Sequence, residues 1–185
     1  TIFTKQQVKQ MKIILALIVT ILLTNCSGNN MKPIDFKDQK PRLIIEEYLS
    51  GNVEAWGILQ NRSGKVIRQF TADLNGKWDG KQLVLDEKFI WNDGEIQKRQ
   101  WKIDKIDEHN YEGTAGDVVG KAKGYSYGPA FKFEYVLLVP NKGKEMKITF
   151  DDWIFMQDER VAINRATMTK FGIKVAELTV MFVKD

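Results

Sequence analysis

The sequence predicts an all-β fold of about eight to ten antiparallel strands, arranged as a sandwich or as a closed barrel. Apolar and polar residues alternate with a period of two through most of the chain after Gly51. Turn signals separate the alternating runs, at "NRSG" (61–64), "NGKWDG" (75–80), "NDG" (92–94) and "NKGK" (141–144). No long stretch shows the period of about 3.6 residues that marks an amphipathic helix.

The first element, "RLIIEEYLSG" (42–51), fits either a short helix or a first strand that ends at Gly51. A hairpin closed by "NRSG" follows it. Side chains two residues apart share one face of a strand, so this hairpin is expected to have a single inward row. The predicted row consists of Trp56, Ile58, Val66, Arg68, Phe70 and Leu74.

The hairpin around Asn92-Asp93-Gly94 has a register that can be predicted. A type I turn with Gly94 in the left-handed region pairs Trp91 with Glu95. The ladder then continues away from the turn through four more pairs, which are Phe89–Gln97, Glu87–Arg99, Leu85–Trp101 and Leu83–Ile103. All ten residues are predicted to share one face, which places an acid directly opposite a base.

A third inward row is predicted from Met146, Ile148, Phe150, Asp152, Ile154 and Met156. The interior is therefore expected to be mostly apolar, with four charged side chains: Arg68, Glu87, Arg99 and Asp152. Because a buried charge is costly unless it is paired, these four are candidates for holding the polar group of a ligand. The alternative interpretation is a structural ion pair between Glu87 and Arg99.

Glycine recurs at every fourth position of "GTAGDVVGKAKGYSYG" (113–128), at residues 116, 120, 124 and 128. A phosphate-binding P-loop needs four residues between its first two motif glycines, whereas Gly116 and Gly120 have three between them. On an extended strand, glycines four apart would strip one face of side chains. Two interpretations follow, a strand bent round a small barrel or a bare face that leaves room for a bound molecule.

The N-terminal quarter of the chain predicts export from the cytoplasm. A basic start at Met11-Lys12, an apolar run over 13–23 and a short exit indicate a signal peptide over 1–25, with 1–10 as an upstream extension. Cys26, the only cysteine, follows in "LTNC", which resembles the lipobox of bacterial lipoproteins. We expect diacylated Cys26 to be a membrane anchor, with residues 26–41 as a polar tether and 42–185 as the barrel domain. Ser27 after the cysteine favours an outer-membrane location facing the periplasm.

Charge and residue counts exclude several function classes. Without the three lysines of 1–25, the chain carries 25 cationic and 24 anionic side chains, so nucleic-acid binding has no electrostatic support. One cysteine and one histidine exclude metal sites built on those residues. His109 lies in the polar turn "DEHNY", and no nucleophile-elbow motif occurs. We therefore assign no catalytic residue, no cofactor and no metal.

Four stretches resemble the bacterial lipoproteins of domain-of-unknown-function family 3833. They are "AWGILQNRSGKVIRQF" (55–70), "LDEKFIWNDGEIQKRQW" (85–101), "YEGTAGDVVGKAKGYSYGPAF" (111–131) and "FDDWIFMQDERVAINRATMTKFGIKVAE" (150–177). The resemblance implies a small calycin-type (lipocalin-like) up-and-down barrel and a lipid anchor, but no activity. It also marks motif positions of unknown role: Asp117, Asp152, Trp153, Asn164, Arg165 and Lys170.

Three functions remain open at this point. The first is a binding module that holds an apolar ligand, a lipid or a fatty acid, inside the barrel. The second is a structural or interaction lipoprotein whose barrel is filled by its own side chains and whose outer face meets an envelope partner of unknown identity. The third, an accessory of lipid-modifying enzymes, has no nucleophile or metal site in the sequence to support it.

Overall fold

The strands and helices are known from a computed structural model that describes residues 31–141 and 143–185. A 3-10 helix (Pro33–Phe36) and the short helix α1 (Ile45–Tyr48) precede the strands. The strands are β1 (Gly51–Asn61), β2 (Val66–Trp78), β3 (Gln82–Trp91), β4 (Ile96–Lys105), β5 (Asn110–Thr114), β6 (Ala122–Tyr127), β7 (Ala130–Asn141), β8 (Lys144–Met156), β9 (Val161–Lys170) and β10 (Ile173–Lys184).

Each strand pairs antiparallel with the next one along the chain, and β10 pairs with β1 to close the sheet. The predicted all-β fold is therefore confirmed, and of the two predicted arrangements the closed barrel is the one observed. Within the described residues, no helix is both long and apolar enough to cross a bilayer. The predicted signal peptide and Cys26 lie outside the described residues.

The N-terminal segment closes one end of the barrel. Ile45 of helix α1 and Leu49, just after it, lie in the core, and the Tyr48 hydroxyl donates to the carbonyl of Arg160 at 3.0 Å. Phe36, from the region predicted as a tether, packs its ring against Phe155 with 5.5 Å between the centroids. We call this end, which also holds the β2–β3, β4–β5, β6–β7 and β8–β9 connections, the capped end. The opposite end, with the β1–β2, β3–β4, β5–β6, β7–β8 and β9–β10 connections, is the distal end.

The register predicted for the hairpin around Gly94 is confirmed pair for pair. Glu87 lies opposite Arg99, and Leu85 lies opposite Trp101. The Trp91 amide donates to the Glu95 carbonyl at 2.9 Å, and Gly94 has a φ of 86°. The turn sequence sets this register, because only glycine adopts that backbone conformation without cost.

The inward row predicted for the first hairpin was wrong for Trp56 and Ile58 on β1 and for Val66 on β2, which is 41% exposed. Gly57 pairs with Phe70 and Leu59 with Arg68, and a β-bulge follows between Leu59 and Gln60. The bulge shifts the pairing of β1 with β2 by one residue. Because neighbouring side chains of a strand point to opposite faces, this shift changes which residues of β1 share a face with the even-numbered residues of β2. Trp56 consequently lies on the outer face, 42% exposed.

The expected row of glycines along one strand was also wrong, because β5 ends at Thr114 and β6 begins only at Ala122. Gly116 and Gly120 lie in the intervening loop, Gly124 lies in β6, and Gly128 lies in the β6–β7 turn. The regular spacing therefore has no single structural cause.

Glycine does allow close approach inside the barrel, at Gly124 of the regularly spaced set and at two positions outside it. A Cβ atom at Gly57 would lie 2.2 Å from Cζ of Phe70, and one at Gly113 would lie 2.4 Å from Cζ of Phe133. These glycines make room for phenylalanine rings that fill the interior.

Candidate functional site

Six polar side chains gather within the otherwise apolar barrel, and we call them the interior polar cluster. Five of them come from strands whose alternation turns them inward, and the sixth comes from the β5–β6 loop. The members are Glu87 (β3), Arg99 (β4), Asp117 (loop), Tyr135 (β7), Asp152 (β8) and Asn164 (β9). The cluster unites two predicted ligand-binding charges, Glu87 and Arg99, with the third, Asp152.

Arg99 is the cation of the cluster, and its principal partner is Asp117. Its Nη2 donates to Oδ2 of Asp117 at 2.7 Å, while its Nε lies 3.1 Å from both carboxylate oxygens. A fork of this kind is among the stronger polar contacts in proteins. Glu87 is more distant, with 3.8 Å between its Oε2 and Nη1 of Arg99, which is too long for a hydrogen bond.

Asp152 is held by two neutral donors on neighbouring strands. The Tyr135 hydroxyl donates to its Oδ2 at 2.9 Å, and the Asn164 amide donates to its Oδ1. The same amide group lies 3.1 Å from the carbonyl oxygen of Trp153. The alternation of β8 explains the placement: Asp151 points outward to Lys132, so Asp152 must point inward.

Burial controls the protonation of the cluster. It raises the pKa of Glu87 to about 7, against the opposing effect of Arg99. It also raises the pKa of Asp152 to about 6, although the hydrogen bonds from Asn164 and Tyr135 lower it. Burial acts to lower the pKa of Arg99, but Glu87 and Asp117 outweigh it and hold that pKa above its usual value. Near neutral pH, Arg99 is therefore cationic while Glu87 is shared between its two protonation states.

A cavity of about 100 Å³ lies beside the cluster. Its walls include Glu87, Arg99 and Asp152, and apolar side chains make up most of the rest, among them Phe70, Leu85, Phe89, Trp101, Phe133 and Val180. Oε2 of Glu87 is buried and has no hydrogen-bond partner among the described residues. Such an atom is unusual in a folded protein, since burying an unpaired polar group costs about 1–3 kcal/mol.

Arg68, the fourth charge predicted to bind a ligand, does not line this cavity. It lies at the distal end, where it forms ion pairs with Asp93 at 2.7 Å and with Glu95 at 2.8 Å. Its guanidinium also lies 4.0 Å from the ring centroid of Trp91. These contacts give Arg68 a role in fixing the β3–β4 turn.

Three of the motif positions belong to the cluster, and three lie outside it. Asp117, Asp152 and Asn164 belong to the cluster. Trp153 stacks on Phe155 outside the barrel, with centroids 5.7 Å apart, where the N-terminal segment packs. Two further positions are also outside the cluster: Arg165 pairs with Glu177 at 2.9 Å, and Lys170 lies near Sδ of Met146 at the distal end.

Tyr135 was missed at the sequence level, although its signal is present in "FKFEY" (131–135). Phe131 and Phe133 are buried, so the alternation of β7 also turns Tyr135 inward, where a hydroxyl needs a partner. Asn164 carried a similar signal, because it is a polar amide whose neighbours on the same face of β9 are apolar. Among the described residues, no group of three or more His, Cys, Asp or Glu side chains is arranged to hold a metal ion.

The fold and the cluster define a calycin-like barrel with a buried polar site. The family model described as "Protein of unknown function (DUF3833)" matches residues 20–184, and the chain belongs to this family. No curated protein matches the sequence.

Solved structures confirm the fold. The barrel is similar to an S-type phycobiliprotein lyase from Guillardia theta, with a TM-score of 0.56 and 9% identity over 76% of this chain and 90% of that one. It is also similar to a protein of the DUF3598 family from Nostoc punctiforme, with a TM-score of 0.59 and 13% identity over 80% of this chain. The match spans 51% of that protein, about half its length. At these identities, the likeness concerns the fold alone.

Proposed function

We propose that this protein is an envelope lipoprotein whose barrel binds a small, largely apolar ligand beside the interior polar cluster. The signal-like segment over 1–25 and the lipobox-like Cys26 support an anchored protein at the outer membrane. Metabolic labelling with radioactive palmitate tests the anchor: the wild-type chain takes up label, and Cys26→Ser does not.

The observation that carries the binding proposal is the unpartnered Oε2 of Glu87 at the wall of a mostly apolar cavity. Nε and Nη2 of Arg99 bind Asp117, and the Tyr135 hydroxyl binds Asp152. Nη1 of Arg99 has neither contact, but at 3.8 Å it is too far from Oε2 for a hydrogen bond. A ligand group that donates a hydrogen bond to Glu87 would complete the cluster.

The charges of the cluster narrow the ligand class. A fatty-acid carboxylate would meet the carboxyl groups of Glu87 and Asp152 at the cavity wall, with Nη1 of Arg99 as the remaining guanidinium nitrogen. Bringing like charges together in a buried site is costly. The proposed ligand therefore has an apolar body and a hydroxyl or amine at its polar end.

The cavity volume sets the size of the ligand. The cavity of about 100 Å³ is well below the roughly 300–1,000 Å³ of drug-sized ligand sites. A molecule with a few heavy atoms fits without rearrangement, and a longer lipid requires the barrel to open.

Three probes of matched size test the proposal: butylamine, butanol and butyrate. The full chain, reconstituted in lipid nanodiscs, is titrated with each while the fluorescence of its tryptophans, including Trp101 at the cavity wall, is followed. We expect butylamine and butanol to bind more tightly than butyrate, and Glu87→Gln to weaken butylamine most. Glu54→Gln, which changes an exposed carboxyl on the outer face of β1, is the control and should bind like the wild type.

The small cavity volume also favours the second function. In that function the barrel is filled by its own side chains, and its outer face binds an envelope partner. The phenylalanine rings that occupy the space above Gly57 and Gly113 belong to such a filling. If none of the three probes binds and no small molecule co-purifies with the chain, this structural role replaces the binding proposal.

A further inference from the structure

The β9–β10 turn contains an unusual residue at its tip. Phe171 and Gly172 both have positive φ angles, 51° and 76°, as in the type I′ turns that join hairpins. Asn, Asp and Gly are the usual residues at the first of these positions, because a Cβ atom is strained there. Phe171 is the only non-glycine residue with a positive φ among the described residues.

The same residue is almost completely exposed. Phe171 has 93% of its surface accessible, more than any other large apolar residue in the described part of the chain, and Ile173 beside it has 61%. Within that part, its one aromatic or cation–π contact is with Lys170, whose Nζ lies 5.5 Å from the ring centroid. The turn therefore combines a strained backbone conformation at Phe171 with an exposed aromatic side chain.

Cationic side chains surround this tip. Lys170 and Lys174 flank the turn, although Lys174 shares its charge with Glu177 at 2.6 Å. The pairing of Thr149 with Thr169 brings the first part of β8 alongside, where Lys144 and Lys147 are both exposed. Glu145 is the acid of that part of β8. Positive charge therefore exceeds negative charge around the two apolar side chains.

We propose that the β9–β10 turn inserts Phe171 and Ile173 into the surface of an anionic lipid bilayer, with the neighbouring lysines against its head groups. A single convex apolar tip fits a lipid surface better than a protein surface. Lipids deform around such a tip, whereas a protein partner would need a matching pocket. Apolar side chains buried at the acyl boundary and lysines at anionic head groups are the two usual contributions to such binding.

The position of the turn makes this contact distinct from the N-terminal anchor. The turn lies at the distal end, whereas the described chain begins at the capped end with the 3-10 helix. A lipid contact through Phe171 is therefore a second membrane contact, and it does not depend on the proposed ligand.

A vesicle-bridging experiment tests the proposal with the full chain. The chain is incorporated into immobilised phosphatidylcholine vesicles, which occupies its N-terminal segment, and free fluorescent vesicles with or without phosphatidylglycerol are passed over it. We expect retention of the anionic vesicles only, with salt reducing it. Phe171→Asn, which suits the left-handed backbone, should lower retention about tenfold or more, because one buried Phe contributes at least that factor.

Two further variants complete the experiment. Lys144→Gln with Lys147→Gln should also lower retention of anionic vesicles. Ile106→Asn removes a side chain that is 58% exposed near the capped end, and it should leave retention unchanged. Equal retention by the wild type and Phe171→Asn, or equal retention of neutral and anionic vesicles, overturns the proposal. Retention that instead requires an added membrane-protein extract assigns the tip to a protein partner, which overturns it as well.

Discussion

Glu87 is the member of the interior polar cluster whose burial is least compensated by hydrogen bonds. Its side chain is 12% exposed, and the Arg99 nitrogen with which it forms an ion pair is 3.8 Å away. The barrel therefore stabilises the protonated form, and burial raises the pKa to about 7 from its ordinary value of 4.5. A group that is neutral when buried and charged when solvated links folding to pH.

Replacing Glu87 with Gln is predicted to flatten the dependence of stability on pH. Between pH 4.5 and about 7, the folded wild type holds a proton at Glu87 that the unfolded chain has released. Glu87 should thus make the free energy of unfolding fall as pH rises through this window, by up to about 1.4 kcal/mol for each pH unit, and its contribution should level off above it. Urea unfolding at both edges of the window measures the change. Asp152, with a pKa of about 6, leaves a smaller slope below that pH in the variant.

Glu54→Gln is the matched control, because it removes an exposed carboxyl group from the outer face of β1. Its pH profile should keep the slope of the wild type. An equal slope in Glu87→Gln and the wild type would show that Glu87 is ionised in the folded barrel across this range.

Contacts within the cluster differ in how far the sequence predicts them. Glu87 and Arg99 were placed opposite each other because a short turn around Gly94 fixes their register locally. The contact between Arg99 and Asp117 was not predicted, since it depends on the path of a loop that no turn motif defines. Tyr135 and Asn164 could be assigned inward positions by alternation, but their common partner Asp152 follows only from the closed order of the strands.

At the level of elements, the first hairpin shows how a β-bulge, one extra residue in a strand, changes which side chains point inward. Its turn sequence was recognised, but the bulge beside it has no signal in "NRSGKVI" (61–67), and it moved Trp56 from the predicted interior to the outer face. Close packing of glycine against other groups was expected for the regularly spaced set, where Gly124 and Gly128 show it, and it is also found at Gly57 and Gly113. Spacing alone could not identify these two, because their function depends on which ring lies across from them.

Gly57→Ala is predicted to destabilise the barrel by about 1–3 kcal/mol, the usual cost of overpacking a core. The added methyl group would lie 2.2 Å from Cζ of Phe70, so the ring must leave its position. Urea unfolding monitored by circular dichroism measures the loss. Gly116→Ala is the control, since its Cβ would meet nothing within 4 Å and its φ is not positive, and it should be neutral or slightly stabilising. An unchanged midpoint in Gly57→Ala would mean that the interior has room to spare, which would favour ligand binding over a filled barrel.

For the whole molecule, the number of paired residues between neighbouring strands varies around the closed sheet. Strands β1 and β10 share nine paired residues, and β7 and β8 share twelve. The five-residue strand β5 shares only four with β4 and four with β6. Local opening is easiest where the fewest contacts must be broken. We therefore expect a molecule larger than the cavity to pass through the β4–β5–β6 region.

Asp117 connects this weak region to the interior polar cluster. It lies in the loop between β5 and β6, and its carboxylate holds Arg99 across the wall.

In hydrogen–deuterium exchange followed by mass spectrometry, peptides from β5 and the following loop should exchange before those from β1, β8 and β10. Asp117→Asn should accelerate exchange in the loop and β5 by about tenfold or more, since a hydrogen bond to a charged group contributes about 1.5–3 kcal/mol. Arg165→Gln, which breaks an exposed ion pair between β9 and β10, should leave β5 unchanged. If β5 exchanges no faster than β1 in the wild type, the wall is uniformly stable, and access for a larger ligand must lie at an end of the barrel instead.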